Sequence, residues 1–326
     1  MNLNLYDENL NRIAIIGGRF ISCFWSEGYN SIQPFTLELQ ATAEYKKKVR
    51  PDCYVGRDDR KTLMVIKTVQ VKEGHVIASG KQAGRCLDDV SFVGTISAGS
   101  VITESIAEAY EASEKFHGIE FADSDITLAY GHQISNKSFL QLCETMCQDA
   151  DLGFRTVRAG KVIRVEFYQP QENPNLLFSE LYGNLQVEGV TLSTEKLKNH
   201  AVVLGEGEGE ERAQVIVDLS EGAQKRSMIV DARDLSREEE ETDDSYYARL
   251  TARGYEKLLQ QKQTWECAFT PRGSDFGVTY DLGDILTVLL PEYGMKLNAR
   301  LNRITQKSQN NQILTMVEVG NITITR

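Results

Sequence analysis

Tyr280-Asp281-Leu282-Gly283-Asp284-Ile285-Leu286-Thr287-Val288 sets a short polar turn against an apolar strand. Aspartate and glycine are residues that turns use, because their side chains bond locally or leave φ unrestricted. The β-branched run beginning at Ile285 fits a pleated, buried surface. Downstream the same alternation of turn and strand continues. Pro291 to Gly294 and Asn310-Asn311 separate strands expected over Ile285 to Leu289, Met295 to Ile304 and Ile313 to Val319.

The region from Ile13 to Val93 follows the same rule, with short β-branched or aromatic stretches cut by Gly, Asn, Asp and Pro. Phe35-Thr36-Leu37-Glu38-Leu39 and part of Leu63 to Val69 alternate apolar and polar residues, the period of a half-buried strand. Val71 to Ile77 reads as an antiparallel hairpin turned at Gly74. At Ser97 the pattern changes. Helical spacing of Ile102, Ile106, Ala109, Tyr110 and Phe116 predicts a helix from a Ser100 cap to Gly118. A second helix is expected over Asn136 to Ala150. A hairpin follows, from Gly153-Phe154-Arg155-Thr156-Val157 to Lys161-Val162-Ile163-Arg164-Val165.

Gln169 to Pro174, holding two of the six prolines, reads as a surface connection. Strands resume near Leu185, and a third helix is expected near 243–262, with Glu238 to Glu241 favouring its N-terminus. Gly205 to Glu211, flanked by Ala201 to Leu204 and Val215 to Val217, reads as a hairpin tip. No internal repeat is present. These changes divide the 326 residues into 1–96, 97–184 and 185–326, giving a β-rich α+β chain.

Composition narrows the function. A net charge of -11 is the wrong sign for neutralising phosphates, so specific nucleic-acid binding is not expected. The N-terminus lacks a basic stretch leading into an apolar core, and no uncharged run reaches the roughly 20 residues of a membrane span. A soluble chain made in a cytoplasm is expected. The six cysteines form no C-x-x-C pair; Cys143 and Cys147 share a helix face, where core packing explains them better than metal.

Four stretches imitate enzyme motifs. Ile13 to Gly18 resembles a dinucleotide-site strand but lacks G-x-G-x-x-G and a following helix. Gly94 to Gly99 has nucleophile-elbow residues at the wrong spacing, which a helix-capping loop explains. Gly205 to Glu211 alternates glycine with glutamate, which repels phosphate and lacks the stagger of a calcium loop. Asp281-Leu282-Gly283 has the outline of an aspartic-peptidase signature, but only one copy occurs and such chemistry needs two carboxylates. His75, His117, His132 and His200 are scattered, and Trp25 and Trp265 suit a core better than a sugar platform. No catalytic, cofactor-binding or metal-binding residue is assigned, and no enzyme activity is expected.

Ordered stretches carry a resemblance. Arg253-Gly254-Tyr255-Glu256-Lys257-Leu258, the Tyr280 to Val288 segment and Val317-Glu318-Val319-Gly320 look like the C-terminal part of siphophage tail-tip, or baseplate hub, proteins. Phe35 to Leu39, Val55-Gly56-Arg57-Asp58-Asp59-Arg60, Ser79 to Gly84, Leu204 to Glu208 and Ile229-Val230-Asp231-Ala232-Arg233-Asp234-Leu235 are similar to the same family in the same order. The stretch from Ser97 to Ala150 matches least distinctively.

The resemblance implies a phage tail hub-like fold. It has two barrel-like antiparallel β-domains, 1–96 and 185–326, around a smaller mixed α/β domain, 97–184. It further implies a virion structural protein of a siphovirus or prophage, assembled in the host cytoplasm. Three copies would form a ring joining a six-fold tail tube to the tip, with tail-tube and distal tail proteins as partners. The genome would pass through the ring, where an acidic wall would keep DNA from adhering. The resemblance implies no cofactor, and the end of the chain at Arg326 is expected to leave no room for a wall-cleaving domain. A receptor- or carbohydrate-binding tail module is the alternative.

Overall fold

The computed structural model describes all residues except 97–100, 112–117, 128–131, 210–211, 238–240, 260, 262–263, 273–275, 278, 311 and 326. The chain packs into two compact units, Met1–Gly189 with Ala268–Arg326, and Val190–Cys267. In the larger unit the first strands are β1 (Leu3–Tyr6), β2 (Arg12–Gly17), β3 (Ser22–Gly28) and β4 (Pro34–Gln40). A short helix, α1 (Ala43–Lys48), leads to β5 (Tyr54–Arg57), β6 (Leu63–Lys72) and β7 (His75–Gln82). The alternation in Phe35 to Leu39 becomes β4, which buries every second residue. Glu73 (φ 51°) and Gly74 (φ 79°) make the tight turn between β6 and β7, where two left-handed residues match the strand twist. The helix α1 was missed, although its signals are local: Thr42 accepts from the Tyr45 N–H, and Glu44 pairs with Lys48 one turn on.

A 3-10 turn over Ala83–Asp89 then leads to β8 (Ser91–Ile96), α2 (Ile102–Glu111), β9 (Ile119–Phe121), β10 (His132–Ser138), α3 (Phe139–Ala150), β11 (Gly153–Ala159) and β12 (Val162–Tyr168). Ile102, Ile106, Phe139, Cys143, Met146 and Cys147 share one core with Leu87, Val90, Phe154 and Val165. The helix α3 starts at Phe139 instead of Asn136, because the preceding residues pair in β10 and Ser138 closes a capping box with Gln141. The expected end of α2, 112–117, lies outside the described residues.

The last elements of this unit are β13 (Glu172–Ser179), the Leu185–Gly189 part of β14 (Leu185–Ser193), the Ala268–Pro271 part of β18 (Thr264–Pro271), β19 (Ile285–Leu290), β20 (Met295–Gln309) and β21 (Gln312–Thr325). The expected loop at Gln169 to Pro174 is partly strand. β13 runs parallel to β19, with a register shift between Asn173 and Leu177 where Pro174 lacks an N–H.

The first and last thirds of the chain, read above as separate barrel-like domains, are joined by strand pairing. Residues 295–300 of β20 pair with β19, and Arg303 to Gln309 pair with β3, the strand bending through irregularities near Asn298 and Leu301. The ladder therefore runs β21-β20-β3-β4-β7-β6-β5-β1-β2. Among the described residues it does not close. β2 has β1 as its strand neighbour, and the Ile13 and Ile15 carbonyls on β2 accept from Lys48 Nζ and Arg19 Nη2 instead of another strand.

The smaller unit holds β15 (His200–Leu204), β16 (Gln214–Asp218), β17 (Ser227–Asp231) and α4 (Asp243–Leu259). The sheet order is β16-β15-β17, and Ala201, Val203, Val217 and Val230 pack against Tyr246, Leu250 and Leu258. A Cβ on Gly254 would lie 2.6 Å from Val217 and 2.7 Å from Val203, so helix and sheet approach through a residue without one. The Gly205 segment is a hairpin tip between β15 and β16, held by Gly205 N–H to Ala213 O and by Ala213 N–H to Glu206 O; 210–211 lie outside the described residues.

All six cysteines are buried. Burial pushes the Cys23, Cys86 and Cys143 thiols up to about 12 and Cys147 well above its ordinary value. Such neutral thiols are expected to resist a disulfide-exchange reagent in the native protein and to react once it is denatured. A raised folded value means their contribution to stability is complete below the ordinary thiol pKa and is lost as pH rises towards about 12. Urea midpoints measured across that alkaline window should therefore fall.

Candidate functional site at the Asp281 to Asp284 turn

The turn that introduces β19 is held by its own carboxylates. Asp284 Oδ2 accepts the Asp281 N–H at 2.8 Å, and Oδ1 accepts the Gln171 N–H at 2.9 Å from the segment leading into β13. Asp281 Oδ1 accepts the Leu282 N–H at 2.8 Å. Gly283 takes φ 89°, and a Cβ there would overlap the Tyr29 ring. Its N–H donates to Leu301 O, and the Leu301 N–H returns to Asp284 O, joining the turn to β20.

Three other parts of the larger unit converge here. Arg300 Nη1 donates to Gly283 O at 2.9 Å and Nη2 to Asp151 at 2.8 Å, while its guanidinium lies over the Tyr29 ring. The Tyr29 hydroxyl donates to Leu152 O at 2.7 Å, beyond the end of α3. The Tyr168 hydroxyl at the end of β12 donates to Leu282 O at 2.9 Å. Burial pushes Tyr29 up to about 12 and, with Asp281 adding to it, raises Tyr168 further, so both phenols stay neutral donors.

Beside the turn lies a cleft of about 310 Å³ whose lining includes Glu27, Gln82, Arg60, Arg155, Tyr168 and Asp281. Glu27 is the buried anion. Its carboxylate accepts from Trp25 Nε1, Arg60 Nη2 and Thr62 Oγ1, each at 2.9 Å. Arg60 also stands 3.7 Å from Asp281 and 4.2 Å over the Phe276 ring. Burial acts to lower the Arg60 pKa, and the charges of Glu27 and Asp281 more than offset it, holding the guanidinium above its usual value. Arg155 reaches Glu166 at 2.8 Å and Asp281 at 3.4 Å.

The cleft is thus lined by carboxylates paired with guanidiniums, a composition that positions chains and neutralises charge. Among the described residues no histidine or cysteine lines it. Asp281, in the stretch with the peptidase outline, sits between Arg60 and Arg155 in the turn that leads into β19. The strand at Ile13 to Gly18 ends in a left-handed Gly17 and enters β3, with no helix between them. Of Gly94 to Gly99, the first three residues lie in β8, and 97–99 lie outside the described residues. Trp25 is 1% exposed with its N–H engaged by Glu27, which removes it from sugar stacking. The side chains of Trp265 and His132 and all of His117 lie outside what is described; His75 pairs with Glu38 and His200 with Ser227. Among the described residues no cluster of three metal-ligating side chains occurs, and no helix is long and apolar enough to cross a membrane.

Sequence reasoning found the turn but not its partners Glu27, Arg60 and Arg155. One signal was available: Glu27 lies two residues after Trp25 in an apolar strand, where an acid needs a buried partner.

The profile of the family described as Siphovirus ReqiPepy6 Gp37-like protein matches residues 99–321. No curated protein matches the chain. Among solved structures, the 43 kDa tail protein of prophage MuSo2 from Shewanella oneidensis is similar at a TM-score of 0.64 and 13% identity, covering 98% of both chains. A tail protein from Neisseria meningitidis MC58 is similar at 0.63 and 11% identity, covering 98% of this chain and 96% of that one. Prophage tail protein gp18 from Listeria monocytogenes EGD-e is similar at 0.58 and 11% identity, with 98% and 94% covered. The fold is that of these tail proteins.

Glu27→Gln keeps the shape of the site and strands the Arg60 charge. It is expected to cost about 3 kcal/mol, since breaking one partner of a buried pair leaves the other uncompensated. Arg60→Met alone should cost a similar amount, and the double variant clearly less than the sum. Urea unfolding of the four proteins measures the coupling, and strictly additive losses would show that the pair does not act as a unit.

Proposed function

The chain belongs to the family of siphovirus ReqiPepy6 Gp37-like proteins, and on that premise we propose that it is a structural subunit of a phage or prophage tail tip. The observation that carries this reading is the end-to-end agreement of fold with a prophage tail protein, 98% of each chain, despite 13% identity. Agreement over the whole length favours a shared architecture over a borrowed module.

In this reading the protein is a non-enzymatic baseplate hub. Identical copies, three to a ring, adapt a six-fold tail tube to the tip, and distal tail proteins dock on the ring. The two ends of the long ladder form barrel-like walls, and the 97–184 segment, with its helices, is a smaller mixed part of the same unit. Repeated surfaces then do the work that a pocket does in an enzyme. The guanidinium-paired carboxylates beside the Asp281 turn support it, because they hold segments of one subunit in fixed geometry. The net charge of -11 suits a ring around the genome, where like charges repel DNA from the wall.

Native mass measurement and electron microscopy test the proposal together. Three-copy rings, or rings formed on adding tail-tube protein, are the expected result. A chain that stays monomeric and joins no tube protein would overturn it.

A further inference from the structure

Two parallel strands deliver two similar turns to one end of the larger unit. β13 and β19 pair with Ser179 opposite Leu289, so the 3-10 turns that follow them, Glu180–Tyr182 and Pro291–Tyr293, emerge side by side. Each turn ends on a left-handed glycine, Gly183 at φ 65° and Gly294 at φ 62°. The sequences match in the same way: Glu180-Leu181-Tyr182-Gly183 and Pro291-Glu292-Tyr293-Gly294.

These turns spend apolar surface on solvent. Leu181, Tyr182 and Tyr293 are 72%, 64% and 51% exposed, although aromatic residues are normally drawn into cores or interfaces. A cleft of about 280 Å³ beside them is lined by Glu180, Glu188, Glu292 and Tyr293. Glu180 accepts a backbone N–H from Val187, and Glu188 accepts the Thr270 hydroxyl. Among the described residues none of the three carboxylates has a cationic partner.

The opposite chemistry stands at the other end of the ladder. Lys48 Nζ on Ile13 O places α1 along β2, whose Ile15 is 57% exposed. Arg12, Lys46 and Lys47 are exposed, with no carboxylate partner among the described residues, and Arg50 donates to the Lys46 carbonyl. Glu44, the one acid on α1, is already taken by Lys48. In a chain of net charge -11, copies repel at long range, and contact requires local surfaces of opposite sign.

We propose that the Tyr182–Tyr293 twin turn is a docking surface for the β2 and α1 face of a second copy of this chain. This rests on the ring-forming subunit proposed above and names its contact. The two surfaces differ, so the contact is head-to-tail, the kind that propagates around a ring instead of closing a two-fold dimer. Cations of α1 meet Glu180, Glu188 and Glu292 while the tyrosines cover Ile15 and the lysine stems.

Charge exchange in the full chain tests it. Glu180→Lys with Glu292→Lys, and separately Lys46→Glu with Lys47→Glu, should each weaken self-association in sedimentation at least about tenfold. The chain carrying all four changes should regain it, since the signs are exchanged but complementary. Circular dichroism and melting check that the variants fold, and Glu180→Gln with Glu292→Gln serves where a reversal does not. Rings that ignore every one of these charges, or a four-fold variant without recovery, would overturn the docking surface and leave the hub standing. A monomer that still joins tube protein does the same. A monomer that joins nothing removes both.

Discussion

The Asp284 carboxylate, accepting backbone N–H groups from Asp281 and from Gln171, is the constraint on which the larger unit turns. The two donors lie in different parts of the chain, 113 residues separating Gln171 from Asp284. One short side chain therefore fixes both the start of β19 and the approach of β13. Bonds to a charged acceptor contribute roughly 1.5–3 kcal/mol each, more than a neutral bond. Their larger effect is on geometry. The parallel register of β13 on β19 starts with Glu172 against Ile285, directly after these two bonds, and Ser179 reaches Leu289 from there.

Around that point the structure uses charge for position more than for gross stability. A buried ion pair seldom improves on well-packed apolar residues, because desolvation offsets most of its attraction. Glu27 nevertheless satisfies three donors at once, from Trp25 on its own strand and from Arg60 and Thr62 in the segment leading into β6. Arg60 then reaches Asp281, and Arg155 reaches the same carboxylate from β11. An apolar replacement would fill this space without specifying which segment meets which. Directional pairing specifies it, and a subunit with surfaces that must repeat identically needs that specification.

Local chemistry was legible and distant pairing was not. The Tyr280 to Val288 turn and strand, the Glu73-Gly74 hairpin and the apolar face of α3 follow from residue types a few positions apart. The helix α1 has equally local signals in its Thr42 cap and Glu44–Lys48 pair, but it buries only Tyr45 and so shows no apolar period. The junction of β20 with β3 brings Ser26 to Ile304 across 278 residues, and no spacing in one sequence reports that. The same pairing puts strands from both sides of residue 96 in one ladder. The partners of Asp281 were hidden for the same reason, since Arg60 and Arg155 look like ordinary surface cations until the fold brings them beside its carboxylate.

The long strand β20 joins two parts of the sheet that lie far apart in the sequence. It serves β19 with one half and β3 with the other, and it buries Leu297, Ala299, Leu301 and Ile304, so one strand carries both ladder and core. Such a ladder depends on alternation and on bends at fixed places, not on particular residues. Some places do demand a glycine, among them 283, where the Tyr29 ring leaves no room, and 254, where α4 meets Val203 and Val217. Both fall inside the stretches that carried the family resemblance. A fold held by backbone pairing and a handful of steric and ionic points can drift widely in sequence, and the points are what remain readable.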